Sequence, residues 1–226
     1  DDLCQFGSEC TEQSGIQCTN CTWAEYSTPL CELRSRGFFP GTFLTFPGLH
    51  ERHRFHISLK FATREQNGLL FYNGRYNEKH DYVAMEIVDN RIVFRFSLGS
   101  EVSELSVGVA GGVSDGMWHQ IDVIYINRTA TLLLDNCDGQ LSLTHGDLLQ
   151  GYHCANRTTM LLDQRCASYK QTCHRFLDLT GPLQIGGVPS LPTEFRVKST
   201  DFTGCIGDIH INHRFLDLNS YVAENG

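Results

Sequence analysis

Asp81-Tyr82-Val83-Ala84-Met85-Glu86-Ile87-Val88-Asp89-Asn90-Arg91-Ile92-Val93-Phe94-Arg95-Phe96-Ser97-Leu98 reads as a β-hairpin whose register can be set from side-chain chemistry. With Asp89-Asn90 as a two-residue loop, Val88 faces Arg91 and the remaining pairs follow. Val83 then opposes Phe96, Met85 opposes Phe94 and Ile87 opposes Ile92, so one face is wholly apolar. Tyr82, Ala84 and Glu86 share the other face with Ser97, Arg95 and Val93, a more polar set. A slip of one residue would mix the two faces, which is why this register is well specified. Carried to the open end, it sets Asp81 beside Leu98.

Outward from the hairpin the same texture continues. Phe55, Ile57, Leu59 and Phe61 alternate in one run, and Ile121, Val123 and Tyr125 alternate in another that follows Trp118. Each run puts its apolar residues on one face of a strand, and Trp118 is expected to pack between sheets. Short strands separated by Gly, Asn and Asp predict an all-β, antiparallel, jelly-roll-like β-sandwich. Residues 138–175 are less regular and contain Cys154, Cys166 and Cys173, as expected of a long loop or partly structured insertion tied down by disulfides.

Residues 1–32 differ. They hold five of the ten cysteines and few aliphatic residues, the composition of a small stapled unit that cannot build a core alone. Ten cysteines point to an oxidising compartment, and the lone Cys18-x-x-Cys21 lacks the second pair that a zinc site would need. The sequons at Asn20, Asn127 and Asn156, each with Thr at the third position, agree with a secretory route. A net charge of −8 with scattered Lys and Arg excludes nucleic acid as a partner class, although Arg52, His53, Arg54 and Lys60 form a local basic patch. No apolar run approaches the ~20 residues that span a bilayer, so the chain reads as a mature ectodomain or a piece of one.

Nothing in the sequence is arranged for catalysis. It contains no H-E-x-x-H and no phosphate-cradling glycine loop. The histidines, among them His53, His56, His80, His119, His145 and His153, lie in separate segments, and the chain is expected not to be an enzyme.

Six motifs in order carry a family resemblance: Asn67-Gly68-Leu69-Leu70-Phe71-Tyr72-Asn73, Asp81 to Val88, Phe96-Ser97-Leu98-Gly99-Ser100, Asp115-Gly116-Met117-Trp118-His119, Gly181 to Pro189, and Phe202-Thr203-Gly204-Cys205-Ile206. With them, residues 33–226 resemble a laminin G-like domain, and residues 1–32 resemble a truncated EGF-like segment. The stretch Asn77-Glu78-Lys79-His80-Asp81, together with Cys31-Glu32 and Ser35 to Pro40, is most similar to seven-pass cadherins of the Flamingo/Celsr type. The EGF-like part departs from its pattern in having five cysteines and two residues between Cys18 and Cys21. The pair Cys166 and Cys173 lies outside the usual laminin G pattern.

The resemblance implies a Ca²⁺ site at the sandwich rim, with side-chain ligands Asp81 and Asp178 and carbonyl ligands Leu98 and Phe176. The hairpin register brings Asp81 to Leu98 independently, and hard oxygen donors suit that cation. The resemblance also implies the disulfides Cys154–Cys205 and Cys21–Cys31. Cys4–Cys18 and Cys166–Cys173 complete the expected set, and Cys10 and Cys137 either join each other or are left to an upstream partner and a free thiol. The implied function is that of an extracellular adhesion or receptor module in a membrane-anchored cadherin-type protein of cell contact or planar polarity. It would recognise a protein or glycan, homophilic contact included. The alternatives are a rigid spacer and a steroid- or lipid-binding sandwich; for the last, Met85, Phe94 and Phe96 would fill the space a ligand needs.

Overall fold

The computed structural model describes residues 33–76, 81–99, 102–138, 143, 153–161, 176–192 and 195–225. Two antiparallel sheets pack face to face. The first runs, edge to edge, β1 (Ser35–Phe38), β12 (Gly204–Ile211), β3 (Arg54–Ala62), β8 (His119–Ile126), β9 (Thr129–Leu134) and β10 (Ala155–Thr159), with β13 (Arg214–Phe215) paired to β12. The second runs β14 (Ala223–Asn225), β2 (Phe43–Phe46), β11 (Leu183–Ile185), β4 (Gly68–Gly74), β5 (Tyr82–Val88), β6 (Arg91–Ser97) and β7 (Val102–Val107). The expected all-β sandwich is therefore what forms. Strand β10 lies inside the irregular stretch 138–175, on the edge beside β9. The segment 1–32, with its expected EGF-like character, lies outside the described residues.

The β5–β6 hairpin has the register read from the sequence, from Tyr82↔Ser97 through Met85↔Phe94 to Val88↔Arg91. Its two loop residues, Asp89 and Asn90, have φ of 47° and 66°, the left-handed pair that a twisted two-residue hairpin requires and that Asn and Asp tolerate. Asn127-Arg128 between β8 and β9, and Asn212-His213 between β12 and β13, use the same device.

Between the sheets, Phe71, Met85, Phe94, Phe96 and Tyr125 are fully buried. Tyr125 stacks on Phe55 at 5.1 Å and meets Phe96 edge-on at 5.4 Å. This filling leaves aromatic side chains where a lipid would have to sit.

One expectation fails. Trp118 does not enter the core; it is half-buried and lies outside β8. The reason is parity: His119, Ile121, Val123 and Tyr125 point inward, so the residue before His119 points outward. The more polar face of β5 and β6 is covered as well. Tyr82, Ala84 and Glu86 are completely buried there, because the segment after β11 folds back over them. Val188, Phe195 and Val197 form a second apolar layer with Leu69, Tyr72, Tyr82 and Ala84.

Glu86 closes that layer. One carboxylate oxygen accepts the N–H groups of Lys198 (2.8 Å) and Ser199 (2.9 Å), and the other accepts the Arg95 guanidinium. Arg95 also donates to Glu104 at 2.9 Å.

The two ends of the described chain are fastened to each other. Leu33 donates its N–H to Asp217 (2.8 Å) and accepts that of Leu218 (3.1 Å). Arg36 pairs with Glu224 and lies over the Tyr221 ring, 5.9 Å from its centre.

Candidate functional site

The segment Phe176 to Pro182 is positioned by the end of β4. Asn73, fully buried, accepts the Leu49 N–H (2.7 Å) and donates to the carbonyls of Gly181 (2.8 Å) and Pro182 (3.1 Å). Gly181 passes so close to β4 that a β-carbon would lie 1.9 Å from the Gly74 carbonyl oxygen, so no other residue fits without moving the crossing. Leu177 and Leu179 are buried on either side of Asp178, which fixes Asp178 at the rim.

There the segment meets the open end of the β5–β6 hairpin. Asp81, 3% exposed, accepts the Asp178 N–H at 2.7 Å. Leu98 lies one step beyond the Tyr82↔Ser97 pair, which places it opposite Asp81. Of the four residues that the family resemblance implies, Asp81 and Leu98 flank the open end of the hairpin, and Asp81 is bonded to the segment that bears Phe176 and Asp178. Burial pushes the Tyr125 hydroxyl up to about 12, and the negative charge of Asp81 adds to the rise.

The Asp178 side chain is 61% exposed and lies 3.7 Å from the Arg52 guanidinium. Arg52 also accepts the Leu177 N–H through its carbonyl (3.2 Å), and the His53 ring contacts the Phe176 ring edge-on at 4.4 Å. The basic patch therefore splits: Arg52 and His53 brace this rim, whereas Lys60 is 2.7 Å from Asp208 on the first sheet. Among the described residues no three His, Cys, Asp or Glu side chains cluster as a metal site. A cation at the rim would therefore rely on main-chain oxygens beside Asp81 and Asp178, a donor set that suits calcium and not softer metals.

At the other end of the sandwich, the His119 ring lies between two carboxylates, Asp135 at 2.8 Å and Asp115 at 3.2 Å. Asp115 and His119 share one sequence motif, whereas Asp135 reaches the ring only through the β8–β9 pairing. Burial lowers the His119 pKa, but the two carboxylates together outweigh it and the net shift is upward from 6.5. A ring bonded to a carboxylate through each nitrogen is held in one orientation. A histidine with a raised folded-state pKa stabilises the fold fully below its unfolded value, and that stabilisation fades as pH rises through the folded value. The stability gap between the protein and its His119→Gln variant is expected to be larger at pH 6 than at pH 8.5. A constant or widening gap in urea titrations would refute this.

The disulfide map needs correcting. Cys154 pairs with Cys137, Cα to Cα 6.2 Å, and not with Cys205. Cys137 follows β9 and Cys154 precedes the neighbouring β10, so the two are adjacent. Cys205 on β12 is four strand spacings from β10, about 19 Å at ~4.8 Å per spacing and far beyond disulfide reach. Cys205 is itself disulfide-bonded. Cys4–Cys18, Cys21–Cys31, Cys166–Cys173, Cys10 and the sequon at Asn20 lie outside the described residues. Of the other sequons, Asn127 is exposed at the tip of the β8–β9 hairpin, whereas Asn156 is half-buried on β10.

The sequence profile of the laminin G domain matches residues 61–214. The chain is 56% identical to the Drosophila melanogaster "Protocadherin-like wing polarity protein stan", over 88% of this chain and 6% of that protein. It is 38% identical to the human "Cadherin EGF LAG seven-pass G-type receptor 1", over 99% of this chain and 8% of the receptor. It thus spans less than a tenth of either relative. Among solved structures, the LG1-3 region of the laminin α2 chain superposes with a TM-score of 0.61 at 19% identity, covering 85% of this chain and 34% of that one. Domains LG4-5 of the mouse laminin α1 chain give 0.58 at 23% identity, over 83% and 46%. These last two establish likeness of fold alone.

Proposed function

The chain belongs to the laminin G domain family, and from that premise we propose that it is a cell-surface recognition module of a cadherin-type adhesion receptor, with a calcium ion stiffening its rim. The observation that carries the calcium reading is the convergence of Asp81 with the segment bearing Asp178, joined by the 2.7 Å hydrogen bond between them. Asp81 and Asp178 would hold the ion through their carboxylates, and Leu98 and Phe176 through their carbonyls. Bound calcium would supply positive charge that neutralises two neighbouring carboxylates and fixes three chain segments relative to one another. Asp178 can turn toward the ion at small cost, since an exposed pair such as Arg52–Asp178 contributes little.

The likeness to adhesion receptors over nearly the whole chain supports the wider reading. The partner would be an extracellular protein or glycan, a second receptor of the same kind among them, and the parent protein would be anchored in a membrane. Among the described residues no helix is long and apolar enough to cross one. The alternative of a steroid or lipid between the sheets is disfavoured by the buried Phe94, Phe96 and Met85.

A site of this class binds with Kd of about 10⁻⁴ to 10⁻³ M. Addition of about 2 mM CaCl₂ to chelated protein should then stabilise it by about 0.6–1.8 kcal/mol and raise Tm by about 1–7 °C. The rise should vanish in Asp81→Ala and in Asp178→Ala. No rise, or one that survives both substitutions, would remove calcium from the proposal while leaving family membership intact.

A further inference from the structure

Eight large apolar side chains are exposed among the described residues, and three of them are tied to one sequon by chain adjacency or through one intervening residue. Ile126, 52% exposed, directly precedes Asn127. Phe176, 49% exposed, is reached through His53, whose carbonyl accepts the Asn127 N–H at 2.7 Å and whose ring meets the Phe176 ring. Leu161, 81% exposed, follows Met160, which exchanges hydrogen bonds with Arg128 of the same sequon (2.9 and 3.4 Å). Exposed apolar side chains grouped in this way call for a cover.

We propose that the cover is an N-linked oligosaccharide on Asn127, so that this part of the rim is a sugar-clad face and not a docking surface for protein. Asn127 is exposed in the β8–β9 turn, with φ of 46°, and Thr129 supplies the hydroxyl the sequon requires. The first sugars have apolar C–H faces that can lie on Ile126, Leu161 and Phe176 while their hydroxyls stay in water. Asn156 is the contrasting case: it is half-buried, and its amide nitrogen donates to the Ser106 carbonyl at 3.1 Å, bridging the two sheets.

The modification balances as a group transfer. The Asn127 amide nitrogen forms a bond to the anomeric carbon of a lipid-pyrophosphate-linked oligosaccharide. The carbon–oxygen bond to pyrophosphate breaks, the lipid pyrophosphate leaves with the electron pair, and one amide proton is released. Nothing is oxidised, and the disulfide between Cys137 and Cys154 is consistent with the oxidising compartment where this transfer occurs.

The test uses the full chain secreted from animal cells, in chelator, so that its outcome is independent of the calcium reading. Intact mass and peptide mapping before and after peptide-N-glycosidase should show Asn127 carrying a glycan. Asn127→Gln and Thr129→Ala should each remove that one glycan. The second variant guards against a folding effect of Gln at a left-handed position. Either variant, or enzymatic removal, should raise the fluorescence of an apolar-surface dye severalfold. An unmodified Asn127 peptide in the secreted, folded protein would overturn the proposal and leave the patch to a protein partner. A glycan whose removal leaves dye binding unchanged would overturn the covering role.

Discussion

Replacing Glu86 by alanine is expected to destabilise the protein by about 3–5 kcal/mol, the range for breaking a buried ion pair from one side. Glu86 is completely buried, and its partner Arg95 is 8% exposed. Without the carboxylate, Arg95 would keep only the half-exposed Glu104, and the N–H groups of Lys198 and Ser199 would lose their acceptor. Each orphaned group adds about 1–3 kcal/mol when it stays buried, so the segment is expected to lift and let water in. Urea unfolding should show a lowered midpoint, and amide exchange at Lys198 and Ser199 should accelerate far more than that of strand β8. Glu86→Gln should fall between, since its carbonyl can still accept from the main chain. A loss under about 1 kcal/mol for the alanine variant would show that the ion cluster does not hold this layer closed.

The second large effect concerns the Cys137–Cys154 disulfide, which spans 17 residues. By the loop-entropy relation, closing a loop of this length removes about 3 kcal/mol of freedom from the unfolded chain. The double variant Cys137→Ser, Cys154→Ser is therefore expected to lose about 3 kcal/mol. Its urea m value should rise, because the unbridged unfolded state exposes more surface. The native pairing of β9 with β10 should persist, since the Leu134 N–H still reaches the carbonyl at position 154, at 2.8 Å in the native chain. Peptide mapping under non-reducing conditions gives the independent check. A Cys154–Cys205 cross-link would restore the pairing implied by family resemblance and contradict the strand order.

The sequence carries local geometry well. Residue parity and the Asp89-Asn90 loop determine the β5–β6 register, and with it the meeting of Asp81 and Leu98 follows from counting. The same counting could have placed Glu86 and Arg95 as diagonal neighbours of opposite charge on one face, and it contained the outward direction of Trp118. What it could not contain is that the chain after β11 would return to roof that face. Val188, Phe195 and Val197 are spaced without a strand or helix period, so nothing marks them as a lid until the sheet beneath is known. Disulfide pairing is hidden for a related reason: Cys137 and Cys154 are neighbours only because β9 and β10 are, and that adjacency depends on sheet order. Asp178 came from family resemblance, since its loop is positioned by Asn73 and Gly181 through contacts about 100 residues apart in sequence.

The fastening of Leu33 to Asp217 and Leu218, and of Arg36 to Glu224, has a mechanical consequence. A pull applied between Leu33 and Asn225 would travel across this short seam and load its few bonds one after another, as in opening a zipper. The strands that carry the rim would lie outside the path of the force. A module tethered in this way would bear tension through its base while the far end of the sandwich keeps its shape.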